Sequence, residues 1–226
     1  IDNGNALDYV IEITGGEIIS DTELFIIHSG GGIKAKDTIF TGNGGFIVDN
    51  RKYVGDSHFL VRGLSFENCT FNTICGCYLT WDDNSYSSPE WGVARLKVFN
   101  CTFNRPYAWL FCINNCVIIE ECAFSNNKVF GLSSTCLYLG YTNGYQNSEN
   151  LQKYYSDVIF ENNIIEGMVV TSTTYLTPIL TDSQVNKLYY RNNIVKNLIN
   201  TSEDDTSYDC YGSCKEYYCE NNIFTN

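Results

Sequence analysis

The chain has little of what marks several common protein classes. Its 226 residues include only 3 prolines, and no block of like charge interrupts it, so no linker divides it. No apolar run approaches the roughly 18 residues of a membrane-spanning helix, and no secretory leader is visible. Membrane insertion is therefore not expected. Long helical periodicity is missing as well; the region around 150–156 could hold a single helical turn. Histidine occurs only as His28 and His58, and Cys210, Cys214 and Cys219 lack paired CxxC spacing, which argues against a metal centre built on them. Lys and Arg total 14 against 26 Asp and Glu, a formal net charge of −12. That balance argues against nucleic acid as a partner. An acidic polymer would need a bridging cation or locally placed basic residues. The glycine pairs Gly15-Gly16 and Gly44-Gly45 fit no phosphate loop and read as tight turns.

What is present suffices for one large domain. The chain is 44% hydrophobic and 18% charged, a composition that buries a core instead of remaining disordered. The reading is one domain over 1–226. Because the sequence starts at Ile1 without an initiator Met, it is expected to be a segment of a longer chain. Eleven cysteines sit mostly inside apolar runs, Cys77, Cys112 and Cys136 among them. They are expected to be reduced core residues, since buried free cysteine behaves as a small hydrophobe. A disulfide framework is the rival reading, but it usually serves domains too small to make a core.

Six octads align without gaps: "LSFENCTF" from Leu64, "LKVFNCTF" from Leu96, "VIIEECAF" from Val117, "VIFENNII" from Val158, "LYYRNNIV" from Leu188 and "YYCENNIF" from Tyr217. Positions one and three are apolar and share one face of a strand. Positions six and eight would lie on the opposite face if the strand ran straight. A bend at positions four and five lets both runs point inward. Asn68, Asn100, Asn162, Asn192 and Asn221 hold position five, and asparagine tolerates the left-handed backbone such a bend requires. The asparagine thus turns a corner. Position six is read as Cys69, Cys101, Cys122, Asn163, Asn193 and Asn222, like beside like. Octads recurring at intervals of 21 to 41 residues suggest a constant coil that carries insertions of different size. Coils stacked about 4.8 Å apart would let these side chains form ladders.

These octads, together with the "VRGLSF" stretch from Val61, resemble the right-handed parallel β-helix of the pectate-lyase-like superfamily. The resemblance covers residues 60–226 well and 1–59 loosely. It extends to polysaccharide-locus β-helix proteins and phage tailspikes. It implies a single solenoid of roughly seven to nine coils, an extracellular, cell-surface or virion-surface location, and polysaccharide as partner. In lyases of this fold carboxylates hold calcium and an Arg or Lys removes a proton; hydrolases of the fold use clustered aspartates. The full signatures of those enzymes are absent. Calcium is the one cofactor the resemblance raises; no Arg or Lys matches the base of those lyases, Arg95 and Arg105 are no more than candidates for it, and Arg62 reads as structural.

The insertions direct attention to one edge. They include "TWDDNSYSSPEWGVAR" over 80–95 and "GYTNGYQNSENLQKYYS" over 140–156. If the strands before them stack, Asp82, Asp83 and Asp182 are the candidate acids. Asn114, Asn115 and Asn143 join them there, with Trp81, Tyr86, Trp91, Tyr141 and Tyr145 alongside. Aromatic faces beside carboxylates and amides suit sugar rings, although Asp and Asn are also ordinary turn residues. The expected function is polysaccharide binding, with or without cleavage. The rival is a non-catalytic structural or adhesive β-helix, such as a fibre shaft or spacer. A coil ending at Asn226 would leave a strand edge and core end open, so a homo-oligomer or further domain is expected to cover it.

Overall fold

The computed structural model describes residues 11–22, 24–27, 31–42, 46–48, 60–72, 75–80, 92–114, 118–139, 157–170, 176–201 and 209–226. Among them there is no helix, and every strand pairing is parallel. The chain winds as a single parallel β-helix with three faces. The first face stacks Ile11–Thr14, Gly31–Lys36, Leu60–Glu67, Gly92–Phe99, Ile118–Ser125 and Asp157–Glu161, and then the C-terminal parts of Thr177–Arg191 and Cys210–Glu220. The second stacks Glu17–Ser20, Ile39–Gly42, Thr70–Asn72, Thr102–Asn104, Lys128–Leu132, Ile164–Gly167, Ile194–Lys196 and Ile223–Thr225. The third stacks Phe25–Ile27, Phe46–Val48, Cys75–Thr80, Tyr107–Asn114 and Thr135–Leu139, and then the N-terminal parts of the same two long strands. Thr177–Arg191 spans two faces: Ile179 pairs with Leu137 on the third, and Leu188 with Val158 on the first. The eight strands of the second face put the coil number within the expected range.

The corner between first and second faces forms as the octads predict. Asn68, Asn100, Asn162, Asn192 and Asn221 have φ of 54°, 53°, 57°, 56° and 54°. Two earlier coils use other residues for the same bend. "IKAKDTIF" places Asp37 at φ 53°, and "IEITGGEI" places Gly15 at φ 72°. The third octad requires correction. Leu96 pairs with Cys122 and Val98 with Phe124, so the coil reads "CAFSNNKV", five residues downstream of the expected start. Its corner is Asn126, at φ 59°. Cys122 is therefore a first-position core residue, and Asn127 takes the sixth position.

That shift makes the sixth-position ladder continuous. The backbone N–H of Cys101 donates to Asn127 Oδ1 at 2.8 Å, that of Asn127 to Asn163 Oδ1 at 2.9 Å, that of Asn163 to Asn193 Oδ1 at 3.0 Å and that of Asn193 to Asn222 Oδ1 at 2.8 Å. Each amide nitrogen then donates to a carbonyl of the coil before: Asn127 to Val98, Asn163 to Phe124, Asn193 to Phe160 and Asn222 to Tyr190, all at 2.9–3.0 Å. Asn163 and Asn193 are fully buried, yet their polar atoms are satisfied, as burial demands.

The core keeps its cross-section nearly constant by trading volume between positions three and eight. Most coils pair a large residue with a smaller one, Ala35 with Phe40, Val98 with Phe103, Phe124 with Val129, Phe160 with Ile165 and Tyr190 with Val195, all buried, while one coil holds both Phe66 and Phe71, edge to face at 5.0 Å. The aromatic column accordingly starts at position eight and crosses to position three. Phe71 stacks on Phe103 at 4.6 Å between centroids, Phe103 reaches Phe124 at 5.9 Å, and Phe160 stacks on Tyr190 at 5.3 Å. Native packing density leaves no room for two large rings in every coil. Cys69, Cys101, Cys122 and Cys136 are free thiols, and these four and Cys112 are buried. Burial pushes the Cys122 thiol up to about 12 and the Cys136 thiol well above its ordinary range. His28, His58 and the region around 150–156 lie outside the described residues.

Candidate functional site

The third face decides where the insertions leave the solenoid. Leu79, Ile113, Leu139, Thr181 and Gly212 form one row across five strands. Thr80 and Asn114 pair one residue further on. Gly212 permits a close approach in this row: a side chain there would meet the Thr181 carbonyl oxygen at 1.9 Å, and its φ of 123° also favours glycine. Trp81 directly follows Thr80, Asn115 follows Asn114, and Asp182 follows Thr181. Strands Cys75–Thr80, Tyr107–Asn114 and Thr135–Leu139 therefore end side by side, whereas Thr177–Arg191 runs on past Asp182 to the first face.

Of those candidates, Asp182 lies within strand Thr177–Arg191, and its backbone falls at the level of Thr80 and Asn114. Its side chain lies outside the described set. So do Trp81, Asp82, Asp83, Tyr86, Trp91, Asn115, Tyr141, Asn143 and Tyr145. The two candidate bases are placed elsewhere. Arg105 is a corner residue at φ 52° after the second face, with its N–H bonded to the Phe130 carbonyl at 2.7 Å. Arg95 belongs to the first face, paired with Gly63. Among the described residues no three His, Cys, Asp or Glu side chains stand together as metal ligands.

The outer surface of the first face carries a second arrangement that the octad reading passed over. Tyr189 and Tyr218 are adjacent in register, and their rings stack at 5.0 Å and 13°. The Arg191 guanidinium lies 5.0 Å from the centre of the Tyr189 ring and 2.9 Å from Glu161. On the other side Lys187 pairs with Glu216 at 3.6 Å, and Asn186 donates to Asp157 at 2.9 Å. The Tyr218 hydroxyl, with Lys187 beside it, holds the Glu216 carboxyl below its ordinary value; Glu216 in turn raises Lys187. The signal was available, because both tyrosines hold the outward second position of their octads. Rungs about 4.8 Å apart place the rings face to face along the axis, so they form a ladder more than a flat platform for a sugar.

Comparison with protein-family models, with curated proteins and with solved structures finds no match to this chain.

Proposed function

We propose that this protein engages polysaccharide along the corner between its third and first faces. The reading includes a place in the pectate-lyase-like superfamily and a location outside the cell or on a virion. The observation that carries it is the alignment of the third-face strand ends at Thr80, Asn114 and Leu139. That alignment brings the attachment points of the segments bearing Trp81, Asp82, Asp83, Trp91, Tyr141 and Tyr145 to one edge. Aromatic residues beside carboxylates and amides on a rigid scaffold suit a chain of sugar rings. Asp82, Asp83 and Asp182 are the acids through which cleavage would run.

A second reading, a non-catalytic shaft or spacer, has its own support. Described acids pair with cations one rung away: Glu67 with Lys36 at 2.8 Å, Glu166 with Lys196 at 3.0 Å and Glu161 with Arg191 at 2.9 Å. Such pairs brace a stack and leave those acids no evident chemical task.

Titration of a glycan panel separates the two. Trp81→Ala and Trp91→Ala should each weaken binding about tenfold or more, the loss of one aromatic contact of roughly 1.5 kcal/mol, with melting unchanged. Asp82→Asn should abolish cleavage if cleavage occurs. Undiminished binding in both tryptophan variants would move the site elsewhere. No binding by the wild-type chain would favour the shaft.

A further inference from the structure

The outer surface of the second face changes character along the solenoid axis. Its seventh-position column runs Glu17, Ile39, Thr70, Thr102 and Lys128, then Ile164, Ile194 and Ile223 without interruption. Parity turns this column away from the core row of Ile165 and Val195, which is fully buried. Ile194 is 37% and Ile223 54% exposed. Two residues along each strand runs a parallel column of Phe130, Glu166, Lys196 and Thr225. Exposed Met168, Val169 and Ile199 lie just beyond it. Ile164, Ile194 and Ile223 thus form an outward-facing apolar strip beside the Glu166 and Lys196 charges, and a strip of this kind marks an interaction site.

We propose that this face binds a second copy of the chain, with the two solenoids antiparallel. The argument is charge self-complementarity. Consider a two-fold axis along the strand direction, passing between the rungs of Ile164–Gly167 and Ile194–Lys196. It keeps each column against its own counterpart and reverses the order of coils. Ile164 then meets the partner's Ile194. Glu166 meets the partner's Lys196, and Lys196 meets the partner's Glu166. Phe130 falls opposite the partner's Thr225, and Lys128 lays its stem over the partner's Ile223. No like charges meet. A two-fold axis parallel to the solenoid and midway between the columns would instead keep equal rungs together and exchange the columns, setting Glu166 and Lys196 against the partner's Ile164 and Ile194; an axis through the second column would set Glu166 against the partner's Glu166, and both arrangements are unfavourable. An isologous interface needs one patch complementary to itself, and this patch is so only in the antiparallel arrangement. The interface is lateral and leaves both ends of the solenoid and the third-face corner free. It does not depend on glycan binding.

Sedimentation velocity of the 226-residue chain over a wide concentration range tests the proposal, with melting measured for each variant. The wild-type chain should show a concentration-dependent dimer. Ile194→Lys should raise the dissociation constant at least tenfold. Lys196→Glu, which sets glutamates opposite each other, should weaken the dimer similarly. The double reversal Glu166→Lys, Lys196→Glu should restore it. A chain monomeric at every concentration overturns the proposal, whichever other partner then takes the face. So does a dimer indifferent to these changes. A dimer lost in Ile194→Lys but not restored by the double reversal overturns the antiparallel arrangement.

Discussion

Along one corner of the solenoid the same position is held by two chemistries. In the upper coils Thr38, Cys69 and Cys101 occupy it; in the lower coils Asn127, Asn163, Asn193 and Asn222 do. The upper side chains bond locally. Thr38 Oγ1 donates to the Lys36 carbonyl at 2.8 Å, and the Cys69 and Cys101 thiols donate to Glu67 and Phe99 at 3.3 Å. The described contacts that cross between those coils at this position are long: Cys69 N–H to Cys101 Sγ and Thr38 Oγ1 to the Gly15 carbonyl, both at 3.4 Å. Each lower asparagine instead accepts from one coil and donates to its carbonyl. At this position side chains cross-link the lower coils, whereas the upper coils are joined by side chains one residue earlier, where Asn100 donates to Asn68 at 2.8 Å and Asn68 to Asp37 at 3.0 Å. The difference teaches that the fold requires a small inward polar group at the corner, and that the identity of the group sets how strongly neighbouring coils are coupled.

The most severe way to break this comparison is to remove one amide. Asn193→Leu strips the Asn163 N–H and the Phe160 carbonyl of partners. Each orphaned buried group costs about 1–3 kcal/mol, so the loss should be about 3–5 kcal/mol. Cys101→Ala orphans only the weakly held Cys69 N–H and should cost about 1–3 kcal/mol. Urea unfolding of both variants gives the two values. Equal losses would mean that the amide ladder couples the coils no better than the thiols.

A gain is the sharper test. Cys101→Asn should extend the ladder upward by one rung. Its Oδ1 would accept from Cys69 N–H, as Asn127 Oδ1 does from Cys101, and its amide would donate to the Phe66 carbonyl, the counterpart of Val98. The expected stabilisation is about 0.5–1.5 kcal/mol, read from the shift in urea midpoint at unchanged slope. A destabilised variant would show that the upper corner lacks the geometry for an amide.

Much of this architecture was legible in the octads, because inward parity and a left-handed corner are both local demands that side chains reveal. The third octad was misread for a physical reason. Strand Ile118–Ser125 extends upstream of the corner with extra apolar residues, Ile118 and Ile119, and its register slips against Gly92–Phe99 between Ala94 and Arg95. "VIIEECAF" therefore looked like a coil start. The first two coils escaped notice because Gly15 and Asp37 make the bend where asparagine was sought, although both residue types suit a positive φ. The Ile164, Ile194 and Ile223 column was written in the octads as an apolar seventh position on the outward parity. Its importance depends on stacking in register, which no single octad reveals. For the candidate site, strand order predicted a common edge, and the aligned strand ends agree. Side-chain placement for Asp82, Asp83 and their neighbours follows from long insertions that obey no repeat.

A pH series separates the two chemistries. Burial, with Cys69 bonded to it, raises the Cys101 thiol well above its ordinary value of 9.0. Burial raises Cys122 and Cys210 to about 12. Above about pH 9 the unfolded chain releases protons that the folded chain still holds. The unfolded state then binds fewer protons, so stability falls as pH rises, by at most about 1.4 kcal/mol per pH unit for each such thiol. The decline should begin near the ordinary thiol value and continue toward the folded one. An amide does not titrate in this range. Cys101→Asn should therefore show a shallower decline than wild type between pH 9 and about pH 10.5, measured as urea midpoints at constant ionic strength. Identical slopes would mean that Cys101 gives up its proton as readily in the folded chain as in the unfolded one, and that the two halves of the corner differ in bonding alone.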